Sequence, residues 1–212
     1  WVKSAGGEGK LEWVELTNGG KVWKLACDIL ATGCHLVPNI ELARMGGVRL
    51  DNDRVAIDAH CLTSRPNVFA VGECTGVGGA ERAIAQGLVA GSLTAMQEKL
   101  ATFYANSLPR WERFVRLLDL TFAPRPEMLG QVAEETIVCR CEDVPHGKVQ
   151  PMSCWREAKL HTRMGMGACQ GRVCGPIAKA LYNFDVDSPR PPLVPLNTQD
   201  LFELYKPEKR RQ

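Results

Sequence analysis

Four of the nine cysteines stand in two close pairs, a pattern that can bind a metal centre. The first pair reads Cys-Arg-Cys and the second Cys-Gln-Gly-Arg-Val-Cys, with residues 142–168 between them. Four thiolates are what a [2Fe–2S] cluster requires, two for each iron, and soft sulfur selects iron–sulfur clusters or zinc over harder metals. We therefore predict one [2Fe–2S] cluster, with the ligands Cys139, Cys141, Cys169 and Cys174.

Two other uses of these cysteines stay open. A structural zinc site also takes four cysteines, but its pairs usually have about two to four residues between their members, unlike Cys139 and Cys141. A redox-active disulfide would read Cys-x-x-Cys, which the sequence lacks, and the thiols could also carry no ligand. Cys154 lies in the gap, where we expect a buried free thiol that packs as a small hydrophobe.

The residues around the second pair favour the cluster. Glycines stand at positions 165, 167, 171 and 175, where backbone N–H groups can turn toward sulfur and so influence the potential of a cluster. Residues 139–180 contain seven Lys or Arg against three acidic residues, a local balance of +4. That charge would offset the net negative charge of a thiolate-ligated cluster.

A second candidate site lies in residues 63–81, where an apolar run ends at Gly72 and is followed by an acid and a Gly-rich turn. A carboxylate at the end of a parallel strand can accept hydrogen bonds from ribityl hydroxyls, and a helix N-terminus can favour negative charge on a flavin ring. The alternative is an acid that only caps the helix. The candidate cofactor-binding residues are Gly72, Glu73, Gly78, Gly79 and Ala80.

Local patterns predict the β elements that would position these sites. Residues 1–33 are predicted to form β structure with a turn at Thr-Asn-Gly-Gly, ending in a buried strand over 28–33. A second hairpin is predicted over 47–58. The run Asn-Val-Phe-Ala-Val-Gly at 67–72 is typical of a strand buried on both faces of a parallel sheet.

Helical spacing predicts a long helix over 80–100 and a second helix over 109–120. Residues 123–128 are typical of a linker, and an extended Pro-rich chain from 188 ends in a basic tail. The positions of the long helix that recur at helical spacing are Ile84, Leu88, Gly91 and Ala95.

Composition is ordinary for a globular protein, with 45% hydrophobic residues, 24% charged residues and a net charge of +2. This balance gives no sign of a nucleic-acid partner, and no apolar run reaches the ~18 residues of a membrane span. The odd cysteine count argues against a secreted disulfide scaffold, and the first residues form no signal peptide, so we expect a cytoplasmic protein. The chain opens without Met, and we expect it to be part of a longer protein.

The four-cysteine segment resembles the bacterioferritin-associated-ferredoxin-like [2Fe–2S] module, through Val-Cys-Arg-Cys-Glu-Asp-Val and the Gly-rich run around Cys169 and Cys174. In one branch this module follows a flavoprotein domain, as in the A-type subunits of opine oxidases, hydroxyproline dehydrogenases and hydrogen cyanide synthase. The resemblance implies that the four cysteines are the ligands and that amine or imino-acid oxidation occurs on a partner subunit. The gap between Cys141 and Cys169 is several residues shorter than usual, at the place of a helix pair.

Residues 63–73 are similar to the second flavin motif of two-dinucleotide-domain flavoproteins such as glutathione and thioredoxin reductases. Thr63, Gly72 and the Val-Phe-Ala run fit that motif, and Glu73 stands where Asp is usual. The resemblance implies FAD as a cofactor and leaves the use of NAD(P) open. No Gly-x-Gly-x-x-Gly follows a strand here, so we expect that this chain alone does not hold FAD tightly.

The predicted fold class is α/β: the C-terminal part of a two-dinucleotide-binding-domain flavoprotein, with a Rossmann-like FAD domain, followed by a small helical [2Fe–2S] module. We predict an electron-transfer subunit or fragment of a heteromeric FAD-dependent oxidoreductase of the opine or hydroxyproline type. The alternatives are a nitrite reductase-type NAD(P)H flavoenzyme and a non-catalytic zinc or cysteine-rich interaction module. The predicted segments are the end of an NAD(P)-binding domain at 1–33, the FAD-binding part at 34–100, a helical linker at 101–135, the cluster module at 136–182 and a Pro-rich tail at 183–212.

Overall fold

A computed structural model describes residues 1–34, 36–186, 189–194 and 196–204. Its strands are β1 (Val2–Gly6), β2 (Trp13–Thr17), β3 (Val22–Ala26), β4 (Leu50–Asp51), β5 (Arg54–Val55), β6 (Ile137–Cys139) and β7 (Val144–Pro145). Its helices are α1 (Glu41–Met45), α2 (Gly79–Thr94), α3 (Glu98–Ala105), α4 (Leu108–Phe122), α5 (Pro126–Leu129), α6 (His146–Val149), α7 (Trp155–Thr162), α8 (Cys174–Tyr182) and α9 (Thr198–Leu204). The chain divides into two compact units, Trp1–Val37 with Pro109–Val186, and Pro38–Leu108 with Asp187–Gln212.

The first unit begins with an antiparallel sheet in the order β1-β2-β3. The turn between β2 and β3 is held by polar side chains, since the Thr17 hydroxyl donates to the Lys21 carbonyl at 2.9 Å and Asn18 Oδ1 accepts from the Lys21 N–H at 2.8 Å. Asn and Thr side chains stabilise turns in this way. The predicted turn and its two flanking strands are confirmed.

The predicted strand over 28–33 is wrong. Residues 27–34 contain neither strand nor helix, and the Ile29 side chain is 85% exposed. A buried strand needs neighbours that take its backbone hydrogen bonds, and within the described residues no strand pairs with this segment.

The four-cysteine segment folds as a hairpin, β6 with β7, followed by α6, α7 and α8. Its core is formed by buried apolar side chains together with two of the cysteines. Between Cys141 and Cys169, where the gap is shorter than the resemblance implies, lie the four-residue α6 and the two-turn α7. The main buried side chains of this core are Val138, Cys139, Val149, Trp155, Ala158, Met164, Cys174 and Ala178.

Helix α4 confirms the helix predicted over 109–120. Val115 is buried on it, whereas the neighbouring Phe114 is exposed. The stretch predicted as a linker over 123–128 contains the start of the short helix α5, with Pro126 in its first turn, where a missing N–H costs nothing.

In the second unit, the hairpin predicted over 47–58 is confirmed as β4 and β5. Asn52 and Asp53 take the left-handed conformation in its turn, at φ 47° and 56°, which both residue types tolerate. The strand predicted over 67–72 is wrong, because only a single bridge joins Phe69 to Leu62, and Val68 is 40% exposed. The described strands pair only in antiparallel fashion, so the parallel sheet of the predicted doubly wound domain is not seen in them.

The helix predicted over 80–100 is interrupted. Helix α2 ends at Thr94, Met96 takes the left-handed conformation at φ 58°, and α3 begins at Glu98. The predicted inner face is also wrong, since Ile84 and Leu88 are exposed. The residues that α2 buries are Arg82, Ala85, Gln86, Val89 and Ser92.

Of the predicted Pro-rich tail, residues 189–194 contain neither helix nor strand, and α9 follows without having been predicted. The basic end at 206–211 lies outside the described residues. Among the residues that are described, no helix combines the length and the apolar character that crossing a membrane requires.

Candidate functional site

The structure places the four predicted ligands near one another, and they influence each other in two pairs. Cys139 raises the pKa of the Cys174 thiol, and Cys141 lowers the pKa of the Cys169 thiol. Each pair joins one cysteine of the β6–β7 hairpin to one cysteine of the segment that leads into α8. Four thiols in one module match the number and kind of ligands that a [2Fe–2S] cluster requires.

The two pairs differ in their access to solvent. Cys139 and Cys174 are each 1% exposed, whereas Cys141 is exposed and Cys169 is half-buried. Burial, together with the neighbouring Cys139 and Cys169, raises the pKa of the Cys174 thiol to about 12. One pair thus lies inside the core of the module and the other lies at its surface.

Backbone amides favour the thiolate form of Cys169. Burial raises the pKa of this thiol, but hydrogen bonds from the backbone of Val173 and Gly171, from the Cys141 thiol and from the backbone of Cys174 together lower it. Hydrogen bonds to the charged form of a group stabilise that form. The predicted orientation of a glycine N–H toward sulfur is thus found at Gly171.

Glycines also supply the space that the segment 165–174, called the ligand loop here, needs. A Cβ on Gly167 would collide with the Cβ of Cys141, so the two ligand segments approach each other here without an intervening side chain. Gly165 and Gly171 both have positive φ and lie on the Trp155 indole, where an added Cβ would come within 2.5 and 3.2 Å of the ring. Trp155 is 7% exposed and forms the floor under this loop.

An ion pair links the two ligand segments at the surface. Arg163 Nε lies 2.8 Å from Glu142 Oε2, and Glu142 directly follows Cys141. Arg163 ends α7 in the left-handed conformation at φ 65°. Because the Arg163 side chain is 68% exposed, solvent screens the pair and it adds little to the stability of the module.

Among the described residues, no group of three or more His, Cys, Asp or Glu side chains is placed to hold one metal ion. The donor set fits a two-iron cluster in its chemistry, since the four predicted ligands are all thiols and backbone amides stabilise the charged form of Cys169. Cys154, predicted to be buried, is exposed next to the first residue of α7 and belongs to neither pair. Its position before the first turn of a short helix keeps it out of the core.

At the second predicted site, Glu73 caps the start of α2. Its Oε1 accepts hydrogen bonds from the N–H groups of Gly78 and Gly79, at 3.4 and 3.0 Å. The structure thus brings Glu73 to the Gly-rich turn and to Ala80 beyond it, and it shows the capping role that was the alternative to flavin binding. Both of these bonds end on Oε1, so the second carboxylate oxygen takes part in neither.

A buried polar network under this turn was missed from the sequence. The Gly72 N–H donates to Gln86 Oε1 at 2.7 Å, and Arg82 Nη1 donates to the Thr75 hydroxyl and to the Gly76 carbonyl, both at 3.0 Å. Arg82 and Gln86 are 3% and 1% exposed. The available signal was their spacing, since residues four apart on a helix share a face.

Comparison with known proteins gives matches along most of the chain. Residues 2–87 match the family model described as pyridine nucleotide-disulphide oxidoreductase. The chain is 27% identical to the A-type subunit of the opine oxidase of Rhizobium meliloti, over 79% of this chain and 36% of that protein. It is 26% identical to the HcnB subunit of the hydrogen cyanide synthase of Pseudomonas aeruginosa, over 82% of this chain and 43% of that protein.

In structure the chain is similar to L-proline dehydrogenase from P. horikoshii, with a TM-score of 0.58 and 20% identity over 94% of this chain and 44% of that one. This likeness concerns the fold alone, and it agrees with the predicted α/β class. The chain spans less than half the length of the relatives named here. The family match contains the turn at Gly72–Ala80 and ends before the four cysteines.

The predicted resemblance to the A-type subunits of opine oxidases and to hydrogen cyanide synthase is confirmed by these relatives. Together with the family match, they support a component of an FAD-dependent oxidoreductase, which is the class that the sequence predicts.

Proposed function

We propose that this chain is an electron-transfer component of an oxidoreductase that uses a flavin and a [2Fe–2S] cluster. The observation that carries the proposal is the grouping of four cysteines in one small module, with Cys139 and Cys174 buried in its core and Cys141 exposed at its surface. When both groups are bound, the flavin supplies two-electron chemistry and the cluster supplies one-electron transfer. Together they connect a two-electron oxidation to one-electron transfer.

The residues of the module have distinct tasks in this proposal. Cys139, Cys141, Cys169 and Cys174 would hold the cluster, with Cys139 and Cys174 in the core of the module and Cys141 at its surface. The backbone amides of Gly171 and Val173 stabilise negative charge on the Cys169 sulfur. Trp155, packed under the glycines of the loop, keeps water from the inner side of the site.

For the flavin, the family match supports FAD and the loop from Gly72 to Ala80 supplies the candidate groups. Glu73 has an oxygen beyond the two capping hydrogen bonds, and that oxygen could accept a hydrogen bond from a ribityl hydroxyl. The start of α2 presents backbone N–H groups and a positive dipole end toward the same place. The family description supports NAD(P) as a second cofactor of the whole protein. In this proposal the FAD-binding part lies at 34–100, the helical linker at 101–135 and the cluster module at 136–182.

The relatives support a substrate class. One is named opine oxidase and one hydrogen cyanide synthase. We assign the chain to a heteromeric dehydrogenase that oxidises an amine or imino acid on a partner subunit, with this chain handling the electrons. Two of these relatives are themselves named as subunits, which supports a multi-subunit enzyme.

The test is an assay of iron, zinc and acid-labile sulfide on anaerobically purified protein, with visible absorption. We expect two irons and two sulfides per chain, and their loss in Cys169→Ser. Cys154→Ser is the matched control, since this exposed cysteine of the same module belongs to neither pair, and it should keep the full content. Zinc in place of iron, or iron that survives Cys169→Ser and Cys174→Ser, would overturn the proposal.

A further inference from the structure

We propose that the outward face of helix α4 binds the surface of an anionic phospholipid membrane. The outward face is the set of six exposed residues that combine positive charge with large apolar side chains: Arg110, Arg113, Phe114, Arg116, Leu117 and Leu120. The inference needs neither the flavin nor the cluster, so it is tested independently of the proposed function.

The acids of α4 lie away from this face. Glu112 and Asp119 stand three residues before and four residues after the buried Val115, so they share its side of the helix. Both acids are half-buried, and every charged residue that α4 exposes is an arginine. The helix therefore presents positive charge to its surroundings without nearby negative charge on the same face.

The apolar side chains of the outward face form a continuous strip. Phe114, Leu117 and Leu120 are 42%, 59% and 82% exposed, and each follows the last by three residues, so they are neighbours on the helix surface. Single exposed apolar residues are ordinary, but an exposed strip of them marks a contact surface. Transfer of these side chains from water into an apolar layer is favourable.

Phospholipid supplies both of the surroundings that this face requires. A guanidinium pairs well with phosphate oxygens, and the long stem of arginine keeps its charge among headgroups while neighbouring apolar side chains enter the acyl boundary. A nucleic acid has the negative charge without the apolar layer. A protein partner needs a groove shaped to this convex strip, whereas fluid acyl chains rearrange around Leu117 and Leu120.

The contact lies along the membrane surface and does not cross it. The 15 residues of α4 measure about 22 Å at about 1.5 Å per residue. A helix with one arginine-rich apolar face binds in the plane of the headgroups, to a depth of about 5–10 Å. The buried side of α4, with Val115, stays against the protein.

The first experiment measures co-sedimentation of the unmodified chain with lipid vesicles. One set contains phosphatidylglycerol and phosphatidylcholine, and the other contains phosphatidylcholine alone. We expect binding to the anionic set, weakening with salt because screening lengths fall from about 10 Å in 0.1 M to about 3 Å in 1 M salt. Absence of binding, or equal binding to both sets, would overturn the inference.

The second experiment tests whether the arginines of α4 are responsible. Arg113→Gln with Arg116→Gln should weaken binding to anionic vesicles by at least about tenfold. Lys148→Gln with Arg156→Gln is the matched control, since it removes the same charge from exposed positions of α6 and α7. Equal losses in the two pairs would show attraction by net charge alone and would contradict the inference.

The basic end of the chain is a competing source of attraction to anionic lipid. A third variant replaces Lys209, Arg210 and Arg211 with glutamine and should keep most of the binding. Loss of binding in this variant, together with normal binding in the α4 pair, would place the membrane contact at the chain end and overturn the proposal.

The last comparison separates a membrane from another anionic partner. Leu117→Gln should weaken vesicle binding and leave binding to heparin unchanged, whereas Leu160→Gln, at a similarly exposed leucine of α7, should change neither. Vesicle binding that is indifferent to Leu117→Gln would indicate a site for polyanions and not for a membrane. Circular dichroism checks the fold of each variant, and if one misfolds, the lipid selectivity of the unmodified chain and the tail variant still decide.

Discussion

Gly167 has less room than any other glycine beside the ligands, because a Cβ there would collide with the Cβ of Cys141. We predict that Gly167→Ala pushes the two ligand segments apart and lowers the cluster content. Overpacking of this kind typically costs about 1–3 kcal/mol, which is enough to compete with cluster assembly. The measurement is iron and sulfide per chain, with the visible absorption of the purified variant.

Gly87→Ala is the matched control for Gly167→Ala. Gly87 lies in the middle of α2 and an added Cβ finds open space there, so alanine should be neutral or stabilising. Equal cluster content in Gly167→Ala and in the unmodified protein would show that the close approach of the two segments is not required.

Glu157 gives a prediction of pH dependence within the module. Its carboxylate accepts hydrogen bonds from the Ser153 hydroxyl and N–H, both at 2.6 Å, and these lower the pKa of Glu157 from its ordinary value of 4.5. A lowered pKa in the folded state stabilises the fold above the ordinary value, and the stabilisation is lost as the pH falls through the lowered value. The expected effect of Glu157→Gln is faster amide exchange in α7 at pH 6, with a difference from the unmodified protein that shrinks below pH 4.5.

The exchange of α8 amides serves as the internal reference for Glu157→Gln, because Glu157 lies in the first turn of α7. A difference that persists unchanged at low pH would mean that the two hydrogen bonds, and not the charge, stabilise the start of α7.

Single residues were predictable where chemistry alone defines them. The four cysteines stand out by type and spacing, and the structure places all four in one module, where their role as ligands stays a prediction. Trp155 and Arg82 could not be recognised, because their roles depend on what lies opposite them in space: two glycines for Trp155 and a turn for Arg82. Sequence periodicity shows a shared face but not the partner of that face.

At the level of elements, α2 shows a polar face turned inward. Gln86 bonds the Gly72 N–H and the Thr75 hydroxyl below the candidate flavin turn, while Ile84 is 63% exposed. We predict that Gln86→Leu destabilises α2 by about 1–3 kcal/mol, because the Gly72 N–H loses its hydrogen-bond partner and the Thr75 hydroxyl loses one of several. Native-state hydrogen exchange of the α2 amides measures this free energy.

Ile84→Gln, on the same helix, is the control for Gln86→Leu and should change the free energy by no more than about 0.5 kcal/mol. If Ile84→Gln is the more destabilising variant, the face predicted from the sequence is the one that packs inward. That result would also show that the buried polar network does not stabilise the turn.

Elements were predictable where local chemistry determines them. The turns at Thr17–Gly19 and at Asn52-Asp53 depend on residues that bond their own backbone or tolerate positive φ, and both hairpins form. The strands predicted at 28–33 and 67–72 depend on neighbouring strands, and within the described residues they have no ladder. Helix α4 was predictable in extent, but not in which of its apolar residues are buried.

At the scale of the whole molecule, the chain spans 36% and 43% of two relatives, and its compact units carry different candidate sites. The cysteine pairs belong to the first unit, and the turn at Gly72–Ala80 belongs to the second. The sequence predicted that flavin and cluster residues occupy separate segments, from motifs that are local in the chain. It could not predict that the first unit also includes Trp1–Val37, because that grouping depends on contacts between distant parts of the chain.

The ligands are part of the core that they help to build, and this leads to the last prediction. Cys139 and Cys174 are fully buried among the apolar side chains of the module. If the cluster is removed, these two buried thiols lose their bonds to iron, and the core loses that source of stability. We expect removal of the cluster, by chelator and oxidant, to abolish much of the amide-exchange protection over 137–182. The protection of α2, which belongs to the other compact unit, should stay the same.

Hydrogen exchange with mass spectrometry reads both regions in one sample, and re-assembly of the cluster from iron and sulfide should restore the protection over 137–182. If protection over 137–182 survives without the cluster, the apolar core formed by Val138, Val149 and Met164 is sufficient to fold the module. If α2 loses protection in parallel, the two units unfold as one. Loss confined to the module is the outcome expected of a core in which two of the metal ligands are also packing residues, because the binding free energy of the metal then contributes directly to folding.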